Sequence, residues 1–410
     1  MEQVATMQYI SSNELFCNFI DEFLEPFEYL IKTDIHRGMV LNFDIYHKST
    51  IKKLSPILIL ARPRDAKKIT EIYKELYNGT YPYKEMEHEK SVRKMIDNLN
   101  YRWVLFKDRF NNVAGCITFA LDFKNKRGYI RGFMLRKKYQ GHIDIVKSMI
   151  GSMIGMCNTF RDKIFMWYVE NRTAHAKSQY AMWVCGINPI AFFPNKDIFF
   201  NSVESDLMQI IYDKRALNEY HRMDKPCIIP EVHKSYLYSK ARYNLGPVKI
   251  INPKLDLDPR KLNRLYKKIT KKTVKDKFGY ETITFSIKDS NSYIQFIYTP
   301  TVQTFEKTKY KVKNLEELYV LVHELKKFGS ELNIRYYEVF VSAYEPNHQK
   351  IFLDAGLSPR GYIPSWNYNQ KRKYFEDYIL FNYFEGKIDE NIQLIPEGIE
   401  LLKSLNFLNK

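Results

Sequence analysis

The histidines and cysteines of this chain show none of the spacings that metal sites or nucleophilic catalysis require. Nine histidines and five cysteines occur in 410 residues, without an HExxH motif or a CxxC pair. The sequence also lacks a GxSxG nucleophile elbow and a GxxxxGK[ST] phosphate loop. We therefore expect no metal site, no serine or cysteine nucleophile and no P-loop nucleotide site.

A different pattern, Q-x6-G-x2-P-x2-[FY]-x-P, occurs twice, at 179–194 and at 349–364. Every matched residue is offset by 170 positions, which is the size of a domain and far too long for a solenoid repeat. We interpret the pattern as an internal domain duplication. The alternative is two unrelated helix–turn–strand segments that share turn chemistry. The matched pairs are Gln179 and Gln349, Gly186 and Gly356, Pro189 and Pro359, Phe192 and Tyr362, and Pro194 and Pro364.

The recurrence of the glutamine favours a structural role for it. Catalysis in one domain would not require both Gln179 and Gln349. We expect each to bond backbone groups where a helix meets the sheet.

The composition predicts a folded chain that is long enough for two domains. Hydrophobic residues make up 45% and aromatic residues 15% of it. The formal net charge of +17 favours anionic partners such as phosphorylated cofactors, acidic substrates or nucleic acid. The lysine pairs are spread along the chain, so an RNA-binding role is an alternative that rests on composition alone. The unpaired cysteines and the absence of a signal segment or an apolar membrane span predict a cytoplasmic protein with reduced thiols.

Apolar periodicity predicts two units of mixed helix and strand between two helical ends. Residues 1–54 form an N-terminal helical extension, with an apolar stripe through Phe19 and Phe23. The first unit, 55–220, is predicted as strand, helix, three antiparallel strands, basic loop, helix, strand, helix and two strands. The second unit, 245–386, is predicted less fully, with helices at 259–270 and 315–328, a hairpin across 281–298 and later strands at 334–343 and 374–384. Residues 387–410 form a tail with a short helix.

This order of elements resembles the GNAT N-acyltransferase superfamily. The resemblance covers roughly 55–215 and, more weakly, 245–385, and its sharpest part is the repeated stretch. It implies an α/β (α+β) fold of two tandem GNAT-like domains, each with a mixed, mostly antiparallel sheet flanked by helices. It also implies an acyl donor, acetyl-CoA or another acyl-CoA, and an amine that accepts the acyl group.

The resemblance places the pyrophosphate of that donor at the basic loop before the helix at 145–156. Backbone N–H groups at a helix start, together with the helix dipole, favour phosphate there. Gln140 and Gly141 match the family's opening of this loop, whereas Ile143 and Ile145 lie where the family tends to have Gly or Ala. The second unit has the Gly-free stretch 301–314 at this place, so we expect the first unit to be the active one. The predicted donor-binding residues are Leu135, Arg136, Lys137, Lys138, Gln140, Gly141, His142 and Ile143.

Acyl transfer to an amine needs a base for the ammonium, a donor for the thioester oxygen and an acid for the thiolate. Glu170, at the end of a predicted strand, is the candidate base, with a solvated strand end as the alternative. Tyr180 is nearest to the family's thiolate-protonating tyrosine, although that residue usually lies four positions before the Gly, where this chain has Met182. His175 opens the same helix and would titrate near neutral pH. For both, packing is the alternative.

The leading hypothesis is therefore an N-acetyltransferase or related N-acyltransferase. The runner-up is a binding or scaffold protein that kept the fold and lost the chemistry. The two isoleucines in the loop and the Gly-free second copy favour that alternative.

Overall fold

The computed structural model describes residues 8–9, 17–30, 37–41, 45–46, 53–388 and 392–407. In the predicted N-terminal extension, helix α1 covers only Ile20–Leu24 and continues as a 3-10 helix over Glu25–Leu30. The other parts of the predicted extension, 1–7, 10–16, 31–36, 42–44 and 47–52, lie outside the described residues. None of the helices in the described ranges is long and apolar enough to cross a membrane.

The first half of the chain, called domain 1, builds an eight-stranded mixed sheet in the order β2-β4-β5-β6-β7-β8-β10-β9. Strands β1 and β3 form a separate short parallel pair. The strands are β1 (Gln8–Tyr9), β2 (Val40–Leu41), β3 (Ile45–Tyr46), β4 (Ile57–Leu60), β5 (Tyr101–Lys107), β6 (Val113–Asp122), β7 (Arg127–Leu135), β8 (Met166–Arg172), β9 (Asn188–Phe199) and β10 (Ser202–Tyr212).

Helices cover both faces of this sheet. Helices α1, α4 and α5 pack one face through an apolar cluster that includes Phe23, Met149, Trp167 and Val184. Helices α2 and α3 pack the other face through Ile69, Tyr73 and Val92. The helices of domain 1 are α2 (Ala66–Tyr77), α3 (Glu89–Asp97), α4 (Ile145–Thr159), α5 (Lys177–Val184) and α6 (Lys214–Leu217).

The second half, called domain 2, repeats this plan as a seven-stranded sheet in the order β13-β14-β15-β16-β17-β19-β18. A connecting segment carries the pair β11 (Cys227–Ile228) and β12 (Lys249–Ile250) and helix α7 (His233–Tyr243). The other elements are α8 (Pro259–Tyr266), β13 (Ile269–Lys275), β14 (Glu281–Ile287), β15 (Tyr293–Thr299), β16 (Thr304–Lys311), α9 (Leu315–Glu331), β17 (Tyr336–Ser342), α10 (Pro346–Asp354), β18 (Ser358–Asn369), β19 (Tyr374–Phe384) and α11 (Pro396–Ser404).

The predicted fold class, two tandem domains with mostly antiparallel sheets flanked by helices, is confirmed. Two local predictions in domain 2 were wrong. The helix predicted at 259–270 ends at Tyr266, and a strand begins at Ile269. The stretch 301–314 is mostly strand β16, which buries Phe305 and Glu306 and exposes Lys307 and Lys309, so its lysines belong to a sheet surface and not to a loop.

The two domains meet through equivalent strands, β9 and β18. Ala191 and Gly361 occupy the same position of the 170-residue repeat, and they face each other there. A Cβ on Gly361 would collide with the Cβ of Ala191 and with the backbone of Ile190 and Ala191, so the close approach needs a glycine at position 361. Because each copy presents the same strand to the other, the domains are related by an approximate two-fold axis near this pair.

Each domain is followed by an arm that binds the opposite domain. Arm 1 (227–243) follows domain 1, and arm 2 (393–404) follows domain 2. Both carry Ile-Pro-Glu before a helix, at 229–231 and 395–397. The backbone N–H of Cys227 donates to Ala343 O at 2.8 Å, and that of Gln393 donates to Thr173 O at 2.7 Å.

The repeated glutamines hold these arms. Gln349 Nε2 donates to Cys227 O, and its Oε1 accepts from the N–H of Ile229, both at 3.0 Å. Gln179 makes the equivalent bonds, to Gln393 O at 2.9 Å and from the N–H of Ile395 at 3.3 Å. Each glutamine also donates to the last carbonyl of the preceding strand, in β17 or β8. The predicted structural role of the two glutamines is therefore confirmed.

Candidate functional site

In domain 1 the parallel strands β7 and β8 pair along only part of their length. The ladder runs from Arg127 opposite Met166 to Ile130 opposite Val169, although β7 continues to Leu135 and β8 to Arg172. Beyond that point the two strands separate. Their facing backbone groups can then bond an extended ligand that enters between them, as in strand addition.

Polar groups without partners surround the point of separation. Gly132 adopts a φ of +61°, and a Cβ there would collide with the Tyr73 hydroxyl. The Thr118 Oγ1 lies 3.7 Å from the same position. Both side chains are fully buried, and neither hydroxyl has a hydrogen-bond partner among the described residues. Buried polar groups are seldom left unbonded, so this place is suited to a polar ligand.

A cluster of tyrosines and one arginine lies next to these hydroxyls. Arg131 is 3.8 Å from Glu85 and 5.9 Å from the Tyr83 ring centroid. Burial opposes the charge of Arg131, but the neighbouring Tyr81 and Tyr73 outweigh burial, so the pKa of Arg131 is raised above its usual value. The 79–88 segment carries Tyr81, Tyr83 and Glu85, so this connection between α2 and α3 covers the site.

Lys196 forms the ionic centre of the site. Its Nζ lies 2.6 Å from Glu170 in domain 1 and 3.4 Å from Glu338 in domain 2, and its side chain is only 3% exposed. Burial favours the neutral amine, but Glu170, Glu338 and Glu306 outweigh burial and raise the pKa of Lys196 well above its usual value. The lysine is therefore charged and shared by carboxylates of both domains.

Two further buried carboxyls, Asp197 and Asp206, lie beside Lys196. The Oδ1 atom of each has no hydrogen-bond partner in the described part of the chain. Burial raises the pKa of Asp206 to about 7, with Lys196 opposing the shift and Glu170 adding to it. Burial and the charge of Asp206 raise the pKa of Asp197. A buried carboxyl that titrates near neutral pH is suited to general base catalysis.

The three predicted catalytic residues occupy different surroundings. Glu170 lies in β8 at the separation and is bonded to Lys196. His175 lies just before α5 and is exposed on one side. Partial removal of solvent from its ring, together with the charge of Arg172, lowers the pKa of His175. Tyr180 lies on the outer side of α5, is 38% exposed, and contacts the Trp183 ring at 6.1 Å. The structure thus brings Glu170 into the buried cluster and leaves the other two outside it.

The predicted donor loop is held by bonds within domain 1. Arg136 pairs with Glu71 at 3.0 Å and Glu75 at 3.4 Å, and the Lys137 N–H donates to Glu75 at 2.8 Å. Lys138 lies 4.9 Å from the Tyr139 ring.

The remaining residues of this loop, 140–143, are held by bonds to neighbouring backbone groups of domain 1 and of the segment at Leu54. Gln140 Nε2 donates to Leu135 O at 3.2 Å. Gly141 adopts a φ of +81° in open space. His142 O accepts from the Leu54 N–H at 2.9 Å, and Ile143 is buried.

Asp144 caps the helix that follows this loop. Its carboxylate accepts from the Lys147 N–H at 3.0 Å, and its own N–H donates to Leu54 O at 3.0 Å. A carboxylate and the segment at Leu54 thus occupy the start of α4, the place that the resemblance assigns to a pyrophosphate.

The equivalent place in domain 2 is aromatic. Trp366, Phe340 and Tyr168 stand at the repeat positions of Lys196, Glu170 and Glu338. Trp366 stacks on Phe340 at 4.8 Å and meets Tyr168 edge-on at 4.9 Å. The approximate two-fold axis therefore relates a charged cluster to an aromatic one, and the ionisable groups belong to the domain 1 site.

Several solved structures resemble this chain. A spermidine N-acetyltransferase from Vibrio cholerae shares 14% identity over 40% of this chain and 97% of its own, with a TM-score of 0.33. The microcin C7 self-immunity acetyltransferase MccE, solved with acetyl-CoA and AMP, shares 13% over 38% and 92%, with a TM-score of 0.31. A probable acetyltransferase shares 14% over 39% and 94%, with a TM-score of 0.33. Searches against protein-family models and against curated proteins found no match.

Each sheet has one parallel pair between antiparallel strands, in agreement with the mixed, mostly antiparallel sheet predicted from the sequence. Each half of the chain thus has the mixed sheet flanked by helices that the resemblance implies. In domain 1 the parallel pair is β7 with β8, and in domain 2 it is β16 with β17. Helix α9 follows β16 after a short connection with Asn314 as its cap, so domain 2 has no counterpart of the 136–143 loop.

Sequence reasoning missed Lys196, Asp197, Asp206 and the tyrosines of the 79–88 segment. A signal for the first two was present. Aligning the repeat at an offset of 170 sets Lys196 and Asp197, two charged residues, against the uncharged Trp366 and Asn367. No pattern in the sequence indicates Asp206 or the tyrosines as site residues, because only the fold brings them together.

Proposed function

We propose that domain 1 is a coenzyme A-dependent N-acyltransferase, with acetyl-CoA or another acyl-CoA as donor and an amine as acceptor. The observation that carries the proposal is the separation of β7 from β8 beside buried, unpartnered polar groups. Tyr73 and Thr118 supply hydroxyls there, and Asp197 and Asp206 supply carboxyl oxygens. Such a place suits a reaction in which charge develops away from water.

The two ends of an acyl-CoA meet different surroundings. The amide-bearing arm fits the separated strands, where backbone groups of 131–135 and 170–172 are available to it. The nucleotide end would lie at the 136–143 loop, where Arg136, Lys137 and Lys138 supply charge. Asp144 opposes the pyrophosphate at the helix start, so we expect the nucleotide end to contribute little affinity.

When bound, the donor supplies a thioester from which the acyl group passes to the amine. We assign Asp206 as the group that takes the proton from the amine, since its pKa of about 7 lies near the working pH. Glu170, the base predicted from the sequence, is held by Lys196 and sets the charge around Asp206. We keep Tyr180 as the proposed acid that protonates the thiolate. We keep His175 as a proposed titrating group at the outer edge of the site.

Binding and turnover test this function separately. Calorimetry with acetyl-CoA measures donor binding, and a thiol-release assay on a panel of amines measures transfer. We expect binding, release of thiol, and loss of release but not of binding in Asp206→Asn. A chain that binds no acyl-CoA is not an acyltransferase.

One observation favours a second function, a non-catalytic scaffold with the GNAT fold. Leu54 and Asp144 close the donor loop on itself through backbone and carboxylate bonds. In that case Ile143→Gly with Ile145→Ala, which opens the loop, would create acyl-CoA binding that the unaltered chain lacks. Acyl-CoA binding by the unaltered chain would exclude this second function.

A further inference from the structure

Domain 2 contributes charged groups to the domain 1 site. Glu338 of β17 lies 3.4 Å from Lys196 Nζ, and Glu306 of β16 is bonded to the Tyr83 hydroxyl at 3.4 Å. Arg335 donates to the backbone oxygens of Asn195 and Lys196. These three residues lie within or directly before the parallel pair of domain 2, and all of them are buried.

Domain 2 also holds the segment that covers the site. The Tyr280 hydroxyl donates to Pro82 O at 2.9 Å, lies 3.1 Å from Glu85, and accepts from the Lys84 N–H at 2.6 Å. The 79–88 segment, with Tyr81 and Tyr83, is therefore fixed from the other domain.

The charge balance around Lys196 depends on both domains. Asp206 and Lys196 are faced by Glu170 and Arg172 from β8, Asp197 from β9 and Glu204 from β10. They are also faced by Tyr129 from β7 and Tyr83 from the covering segment. From domain 2 they are faced by Glu306, Arg335, Tyr336 and Glu338. Several carboxyls share one ammonium, so removing one of them changes how strongly Lys196 acts on the others.

We propose that Glu338 is a positioning residue for the domain 1 site. By sharing Lys196 with Glu170 it fixes the lysine, and through the lysine it sets the proton affinity of Asp206. Domain 2 thus acts as a built-in second subunit that completes one active centre and forms none of its own. This inference rests on the proposed acyltransferase function.

The repeat itself supports this division of roles. At the equivalent place in domain 2, Tyr168 takes the position of Glu338 and meets Trp366, with no ionisable carboxyl at the position of Glu170. Domain 2 therefore supplies carboxylates to the charged cluster of domain 1. In the other direction, domain 1 supplies no carboxylate to the aromatic cluster, but it supplies Tyr168 and the guanidinium of Arg127, which lies 4.1 Å from the Trp366 ring centroid.

Glu338→Gln in the full chain tests the proposal. Without this carboxylate, Lys196 acts more strongly on the domain 1 carboxyls, so the acidic limb of the pH–rate profile should move down by about 0.5 to 1 pH unit. The KM for the donor should not change, and Glu338→Asp should restore part of the shift. Glu376→Gln is the matched control, because it removes a domain 2 ion pair with Arg222, 2.9 Å long, that does not touch Lys196.

A second measurement separates failure of this inference from failure of the function. The pH dependence of unfolding reports the same carboxyls without any turnover. Because burial also raises the pKa of Glu338 itself, the shift caused by Glu338→Gln is compared in the unaltered chain and in Asp206→Asn, and it should be smaller in Asp206→Asn. Glu376→Gln should cause the same shift in both chains. If the shift caused by Glu338→Gln is equal in both chains, the inference is wrong whether or not the chain is an enzyme. If no acyl-CoA binds but this shift is smaller in Asp206→Asn, the acyltransferase assignment fails and the charge coupling stands.

Discussion

The two domains carry different side chains at one equivalent place. In domain 1 this place holds a charged cluster of Lys196, Glu170 and Glu338. In domain 2 it holds an aromatic cluster of Trp366, Phe340 and Tyr168. The first joins a lysine to carboxylates from both domains, whereas in the second Trp366 stacks on Phe340 and meets Tyr168 edge-on. Aromatic packing stabilises an interface without titrating, while a buried charge set is costly unless it is complete. The two copies of one fold thus fill the same place in different ways, with ionisable groups in domain 1 and with aromatic packing in domain 2.

The largest effect should come from breaking the charged cluster. Lys196→Met leaves Glu170 and Glu338 buried without their partner, and we expect a loss of about 3 to 5 kcal/mol in the free energy of unfolding. Chemical denaturation at pH 7 measures it. Adding Glu170→Leu and Glu338→Leu, which makes this cluster apolar like its counterpart, should recover most of the loss. If the single change costs nothing, Lys196 does not hold these carboxylates.

The second prediction concerns pH. The folded-state pKa of Asp206, about 7, lies above its usual 3.8, so the folded chain binds more protons than the unfolded one between these values. Its contribution is therefore fully present below about pH 4 and is lost as pH rises towards 7, by about 4 kcal/mol. Asp206→Asn should remove this slope from unfolding curves. Tyr378→Phe, at the equivalent place in domain 2, should leave the slope unchanged.

The third prediction tests the approximate two-fold axis. Gly361→Val places a side chain against Ala191, and overpacking of this kind costs about 1 to 3 kcal/mol. Ala191→Gly in the same chain should return only a small part of the stability, since it removes the contact with the Ala191 Cβ but leaves Ile190 O and the Ala191 Cα within 2.7 Å of the added Cβ. A similar loss in Gly246→Val, where the added group meets nothing within 4 Å, would mean that backbone effects, and not the axis, are responsible.

The smallest effect should appear at the helix caps. Asp144 and Asn314 are equivalent, and each caps its helix by accepting a backbone N–H. Asp144→Asn keeps the cap and removes the charge, so acetyl-CoA should bind more tightly by about 0.3 to 1 kcal/mol. Asn314→Asp is the control, and it should not change donor affinity. Weaker binding in Asp144→Asn would place the pyrophosphate elsewhere.

The sequence predicted the fold well because its strongest signals were local and repeated. Glycine and proline at a fixed offset marked the two copies, and apolar periodicity marked most helices and strands. Strand β13 was missed because Ile269–Lys275 is rich in exposed lysine and resembles the end of a helix. Strand β16 was missed for a related reason, since Lys307, Lys309 and Lys311 alternate with buried residues in a stretch that had been compared with a loop.

The candidate site was predicted only in part. Glu170 could be proposed because it ends a strand next to the expected site. Its partner Lys196 lies on another strand, and Glu338 lies in another domain, so their meeting follows from tertiary structure alone. Tyr180 was favoured by its nearness to a repeated residue, but a helix turns about 100° per residue, and the neighbour of buried Gln179 faces outwards.

The exchanged arms also set an order of events during synthesis. The groove beside Gln179 in domain 1 is filled by residues 393–395, which follow the last strand of that domain by about 180 residues. At translation rates of 5 to 20 residues per second, this groove would wait roughly 10 to 40 s for its occupant. The first domain to emerge from the ribosome is therefore the last to be completed.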